Sequence, residues 1–226
     1  MNALATAAKG KGAANALRRA REIGTRYGFG PSSMERKIGS VHEIVAQSGC
    51  RATLPITAVV VARHSEAVAR YAALGIEFPV HGYYHVDHAA LPEHRQLSQL
   101  ARARQVFEAR GLPVAGFRAP YLRWNHATLR AIAENGFLYD CSQAMHIPIG
   151  TLLESDAYRR GLAFCGALSA DDYLMVPWSE DGLLRIPYVL PDDESIVDRL
   201  QMSSPSAIAD LWLKMFAVTY ERGELF

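Results

Sequence analysis

Signals for helix and for strand alternate along most of the 226-residue chain, and that alternation narrows the possible folds more than any other feature. "SSMERKIGSVHEIVAQSG" opens with a capping box from Ser32 to Glu35, carries apolar residues at helical spacing and stops at Gly49. "ATLPITAVVVA" follows, a β-branched run too apolar to alternate faces, which predicts a strand buried on both sides. Helix is then expected over "SEAVARYAALG", strand over "IEFPVHGY", helix over "PEHRQLSQLARARQVFEARG" and strand over "PVAGFRAPY". "NHATLRAIAENG" predicts a helix capped by Asn125 and stopped at Gly136, with the strand "FLYDCS" behind it. Such βα repetition predicts an α/β fold, a parallel sheet with helices outside it, in which reacting residues sit at the C-terminal ends of strands. His81, Arg118 and Asp140 each fall at or near such an end.

Beyond this the pattern loosens. Residues 143 to 182 read as loop and short elements and support no assignment. "LLRIPYV" predicts a further strand, "LPDDES" a polar turn, and "SPSAIADLWLKMFAVTYERG" a helix with Ser204 as cap, Pro205 at its first position and Gly223 at its end. "ELF" reads as the start of another strand. Half of the residues are hydrophobic, enough for one sizeable core, and no repeat or flexible linker argues for a second domain. The expected organisation is therefore one barrel domain over residues 26–226, preceded by an accessory helix over residues 1–25.

Composition excludes several classes of function. Lys and Arg (24) nearly balance Asp and Glu (23), so nothing points to a nucleic-acid partner for the chain as a whole. The first 26 residues are the exception: Lys9, Lys11, Arg18, Arg19, Arg21 and Arg26 face only Glu22, as in a solvated basic helix packing one Ala/Leu stripe on the body. Cys50, Cys141 and Cys165 are odd in number and widely spaced, which implies neither a disulfide framework nor a zinc ribbon. No secretory h-region and no run approaching 18 uncharged apolar residues is present, so a cytoplasmic location without a membrane span is expected.

"HGYYHVDH", residues 81–88, concentrates three of the eight histidines and one aspartate directly after an apolar run. His81 and His85, four apart, have a spacing that lets two imidazoles converge on one ion, zinc above all. Two ligands hold a metal weakly, so a third is needed; Asp87, His88 and His94 are near in sequence. The alternative is a loop whose histidines hydrogen-bond locally. "GFRAPY" places Arg118 before a proline that fixes the chain direction, and "FLYDCS" places Asp140 at the next strand end, where it could pair with that arginine or support a histidine ligand. A purely structural arginine–aspartate pair is the competing reading.

Taken in order, "VHGYYHVDHAAL", "GFRAPY" and "GFLYDCS" resemble the polysaccharide deacetylase family, the NodB-homology domain, and within it the branch related to cyclic-amide hydrolases. The resemblance implies a distorted (β/α) barrel, a divalent metal bound by two His and one Asp, and hydrolysis of an N-acetyl group on a sugar. By the same resemblance His81 and His85 are the metal-binding histidines. Arg118 is the arginine that orients the catalytic base, and Tyr121 follows Arg-x-Pro at the position whose backbone N–H helps hold the oxyanion. A metal would activate water and polarise the amide carbonyl while that N–H meets the developing charge.

Two parts of the family pattern are missing. Where the family carries "FDDG", with the base and the third metal ligand, this chain reads "RYGFGP", residues 26–31, with Gly28 and Phe29 in place of both carboxylates. The closing Leu-His element, whose histidine is the general acid, is also absent, which reads as a barrel incomplete at its C-terminus, a truncated chain. A site completed by Asp87, His88, Asp140 or water would bind metal weakly. Two functions remain in competition: a metal-dependent N-deacetylase with a carbohydrate substrate, and a catalytically inactive carbohydrate-binding or scaffold domain. A basic-helix interaction module over residues 9–26 is a third reading.

Overall fold

The computed structural model describes residues 31–226. The expected accessory helix over residues 1–25 and the positions of Gly28 and Phe29 lie outside them. Helix α1 (Pro31–Gln47) occupies the expected segment and buries Ile38. The chain then runs extended through residues 53–56, where Thr53 pairs in parallel with Glu77 and Ile56 with Val80.

The valine-rich run does not continue as a strand, contrary to expectation. Ala58–Arg63 is helix α2, and Ala58 and Val61, three residues apart, are both fully buried. One helical face meets the core, and that burial outweighs the β preference of three consecutive valines. Helices α3 (Ser65–Ala73) and α4 (Glu93–Glu108) follow as expected, and α4 sends Leu100, Ala103 and Phe107 inward at helical spacing.

Strand β1 (Gly116–Phe117) joins the parallel run beside Val80, and β2 (Tyr139–Asp140) lies beside β1. Between them is α5 (His126–Glu134), capped as expected: the Asn125 side chain accepts from the Thr128 N–H at 3.0 Å, while the Thr128 hydroxyl accepts from the Asn125 N–H. The Tyr139 ring crosses Gly116 so closely that a Cβ there would lie 1.9 Å from it, and its hydroxyl donates to Glu77 at 2.6 Å. Only a glycine admits that crossing.

The unassigned region contains β3 (Ala144–His146), α6 (Asp156–Cys165), β4 (Leu168–Ser169) and β5 (Trp178–Glu180). The strand expected over "LLRIPYV" is split into β6 (Leu183–Arg185) and β7 (Tyr188–Leu190), because Pro187 between them has no N–H to give to a ladder. β6 pairs in parallel with β2, and β7 with β3, so β2–β3 and β6–β7 are two interrupted strands side by side. β4 flanks β3, and β5 turns back on β6 as the one antiparallel partner in these sheets.

Helix α7 (Pro205–Arg222) has the anticipated signals at both ends: the Ser204 side chain accepts from the Ala207 N–H, and Gly223 takes the left-handed conformation, φ 68°. "ELF" forms no strand. The Leu225 N–H donates to the Met175 carbonyl at 2.8 Å, but Met175 belongs to a loop and offers no ladder to extend. Among the described residues, no helix is long and apolar enough to cross a membrane.

Candidate active site

The parallel register brings the expected residues to one level. Ile56, Val80, Phe117, Asp140 and Arg185 are successive partners across the run, so His81 and Arg118 lie one step further on at its C-terminal edge. The His81 N–H donates to the Ile56 carbonyl at 2.9 Å, and the Arg118 N–H to the Val80 carbonyl at 3.0 Å. His81 Nδ1 lies 2.7 Å from the Arg118 carbonyl oxygen. A carbonyl only accepts, so Nδ1 carries the proton and Nε2 keeps its lone pair. Burial first, and then the neighbouring His85, push the His81 pKa down to about 3, so the ring is neutral at physiological pH.

His85 is exposed, its ring 4.9 Å from that of His81, and it meets Tyr121 edge to face at 4.6 Å. His81, His85 and Tyr121 therefore converge. The Arg-x-Pro-Tyr element is strained as it arrives: Tyr121 and Leu122 are successive left-handed residues, φ 62° and 56°. The turn between the two histidines needs Gly82, at φ 81°, where a Cβ would stand 2.9 Å from both the Tyr84 carbonyl oxygen and His88 Nε2.

Three residues near the pair are engaged elsewhere. His88 is fully buried against Phe117, ring centroids 5.6 Å apart, with neither ring nitrogen hydrogen-bonded among the described residues. Its ring is packed inside the core. Asp87 accepts from Arg123 Nε at 2.8 Å, and Arg123 also donates to the Phe164 carbonyl at 2.6 Å, which ties the histidine loop to α6. Asp140, fully buried, forms an ion pair with Arg185 Nε at 3.0 Å and accepts from both the N–H and the hydroxyl of Ser142. Burial drives its pKa up, and Arg185 and Ser142 work against that rise.

The anticipated pairing of Asp140 with Arg118 is not what forms. Asp140 stands opposite Phe117 and Arg185, whereas Arg118, one residue beyond Phe117, stands a step away and directs its side chain to the other face. Its guanidinium sits over the Tyr188 ring at 4.2 Å. Arg185 and Ser142 are the members of the site that sequence reasoning missed. A charged residue in the middle of "LLRIPYV" was the available signal. Arg185 is fully buried between Asp140, Glu180 (2.7 Å) and the rings of Trp124 (4.1 Å) and Trp178 (5.3 Å). Ser142, also buried, accepts from the Ala119 N–H at 2.8 Å, so Asp140 reaches the Arg-x-Pro-Tyr backbone through one hydroxyl.

The two imidazoles suit a divalent metal, because His81 presents an unprotonated Nε2 beside a second ring. Among the described residues no three His, Cys, Asp or Glu side chains converge on one point. Among the described residues the donors there are His81 and His85.

A sequence model of the family described as Polysaccharide deacetylase matches residues 30–139, which contain both histidines, Arg118 and Tyr121. The peptidoglycan deacetylase-like protein FGM2 of Gibberella zeae is 37% identical over 73 residues, a stretch covering 32% of this chain and 22% of that protein. The crystal structure of Puue allantoinase superposes with a TM-score of 0.63 at 21% identity, over 92% of this chain and 59% of that one. A probable polysaccharide deacetylase from Pseudomonas aeruginosa PAO1 gives a TM-score of 0.59 at 19% identity, over 91% and 60%. The chain thus spans about three fifths of these structures and about a fifth of FGM2. The fold is the α/β, (β/α)-barrel type of the polysaccharide deacetylases, and residues 30–139 are similar in sequence to that family.

Proposed function

We propose that the chain is a metal-dependent hydrolase of a non-peptide carbon–nitrogen bond, acting on the N-acetyl group of a carbohydrate. The observation that carries this reading is the convergence of His81, His85 and Tyr121 at the C-terminal edge of the parallel run. His81 and His85 would hold the metal, zinc being the expected ion. A divalent metal supplies, when bound, Lewis acidity toward the amide carbonyl and a lowered pKa for its water. The Arg118 carbonyl oxygen fixes the tautomer and ring plane of His81. Tyr121, in its left-handed conformation, presents its backbone N–H as the oxyanion donor. Asp140 supports that element through Ser142 and Ala119, while Arg118 remains beside His81 as a binding group. Residues 26–226 act in this reading as one domain.

A second reading is a carbohydrate-binding domain without activity. It is favoured by the absence, among the described residues, of a carboxylate beside the histidines and by Gly28 and Phe29 in the sequence. Acetate release from short N-acetylglucosamine oligomers, measured with and without added zinc or cobalt, decides between them. Metal-stimulated release that His81→Ala abolishes supports the hydrolase, whereas sugar binding with no release supports the second reading.

A further inference from the structure

Arginines that this fold withdraws from water are met by carboxylates. Arg185 has Asp140 and Glu180, Arg123 has Asp87, and Arg199 has Glu194 at 3.7 Å. Arg118 departs from that rule. It is half-buried at the C-terminal edge of the parallel run beside His81, and its Nε is buried with no hydrogen-bond partner among the described residues. Its guanidinium is packed on the face of Tyr188 and against the Cys141 thiol, neither of which supplies a full negative charge. Carboxylates around those two side chains bond to other groups: Asp140 to Arg185 and Ser142, Glu77 to the Tyr139 hydroxyl, and Asp192 to the Tyr188 hydroxyl at 3.2 Å.

A guanidinium partly removed from water without an anion is unfavourable unless something else brings the charge. Its planar fork matches a carboxylate. The place is also where ligands bind in parallel α/β folds, at the C-terminal ends of strands. We infer that Arg118 is a specificity residue that binds a carboxylate carried by the substrate, so that the preferred ligand is an acidic sugar rather than a neutral one. This rests on the reading of the His81–His85–Tyr121 site as a carbohydrate site and narrows its substrate class.

The test uses the full chain in zinc-containing buffer and follows the Nε–Hε resonance of Arg118 by 1H–15N NMR, assigned through its own backbone so that no variant need fold. Glucuronate, glucose and acetate are titrated separately. The expected result is a saturable shift with glucuronate, at a dissociation constant at least about tenfold below that for glucose, with acetate weaker than glucuronate. Saturation by acetate at the same concentration as glucuronate would overturn the assignment, since the guanidinium would then be taking any small carboxylate. An unmoved resonance with all three would overturn it as well. Acetate release from neutral N-acetylglucosamine oligomers, run in parallel, separates this inference from the hydrolase reading. Release with a silent Arg118 removes only the acidic-sugar preference, whereas a glucuronate shift with no release removes only the hydrolase.

Discussion

His88 behaves as a neutral wedge. It has no exposed surface, its ring nitrogens find no partner among the described residues, and burial, ahead of the opposing pull of Asp87, drives its pKa down to about 4. Protonation therefore favours the unfolded chain, where the value is the ordinary 6.5. The contribution is complete above pH 6.5 and is lost as pH falls toward 4, by about 3 kcal/mol at most. Urea unfolding across that window in the wild type and in His88→Leu checks this, the variant being expected to show the shallower decline. Gly82 carries a second prediction. Gly82→Ala places a Cβ in the left-handed region and against a backbone carbonyl, which should cost about 2 kcal/mol and disturb the spacing of His81 and His85. Weaker zinc binding by calorimetry, alongside a lower midpoint in urea, is the expected pair of results. The three histidines of "HGYYHVDH" look alike in sequence, but the fold turns His85 out and buries His88. Spacing along one loop cannot say which ring turns toward solvent and which turns under Phe117.

Helices were legible because their ends are written locally. Asn125, Ser204, Pro205 and Gly223 act within a turn of their own positions, and the structure uses each as expected. Asn125→Ala should lower stability by about 1 kcal/mol, a fall of roughly 2–4 °C in melting temperature, because it removes the cap of α5. Its bond to the Ala89 carbonyl at 3.2 Å, which ties α5 to the segment after the histidines, is lost as well. Differential scanning calorimetry reads that shift directly. Strands that formed where expected were drawn too long, and the one expected over "ELF" did not form. Each two- or three-residue ladder ends where the chain turns off to build the site, at Gly82, at Pro120 and at Cys141–Gln143, and such departures follow from tertiary contacts rather than from β preference. The pairing of Asp140 was illegible for a related reason: its partner Arg185 is 45 positions further on, in a strand whose register no local pattern specifies.

Across the whole molecule, Asp140 and Arg185 join the strand ends from β2 to the β5–β6 hairpin, with Glu180 and two tryptophan rings around the guanidinium. Asp140→Ala leaves Arg185 with half its countercharge in a place closed to water, and should destabilise the chain by about 3–5 kcal/mol in chemical denaturation. Replacing both partners with apolar residues is expected to recover part of that loss, and a double variant no better than the single one would contradict the account. The other end of the parallel run has a different character. Residues 53–56 hydrogen-bond to 77–80 on one side, and no strand flanks them on the other among the described residues; they lead directly into three consecutive valines wound as α2. Held in the core, "TAVVVA" is helical by compulsion of its surroundings; released by local opening, it is an uncharged, β-branched hexapeptide of the kind that stacks into intermolecular sheets. Heating should therefore end in thioflavin-positive aggregation rather than reversible melting, and Val60→Lys, at a partly exposed position of that helix, should delay aggregation while moving the melting temperature little.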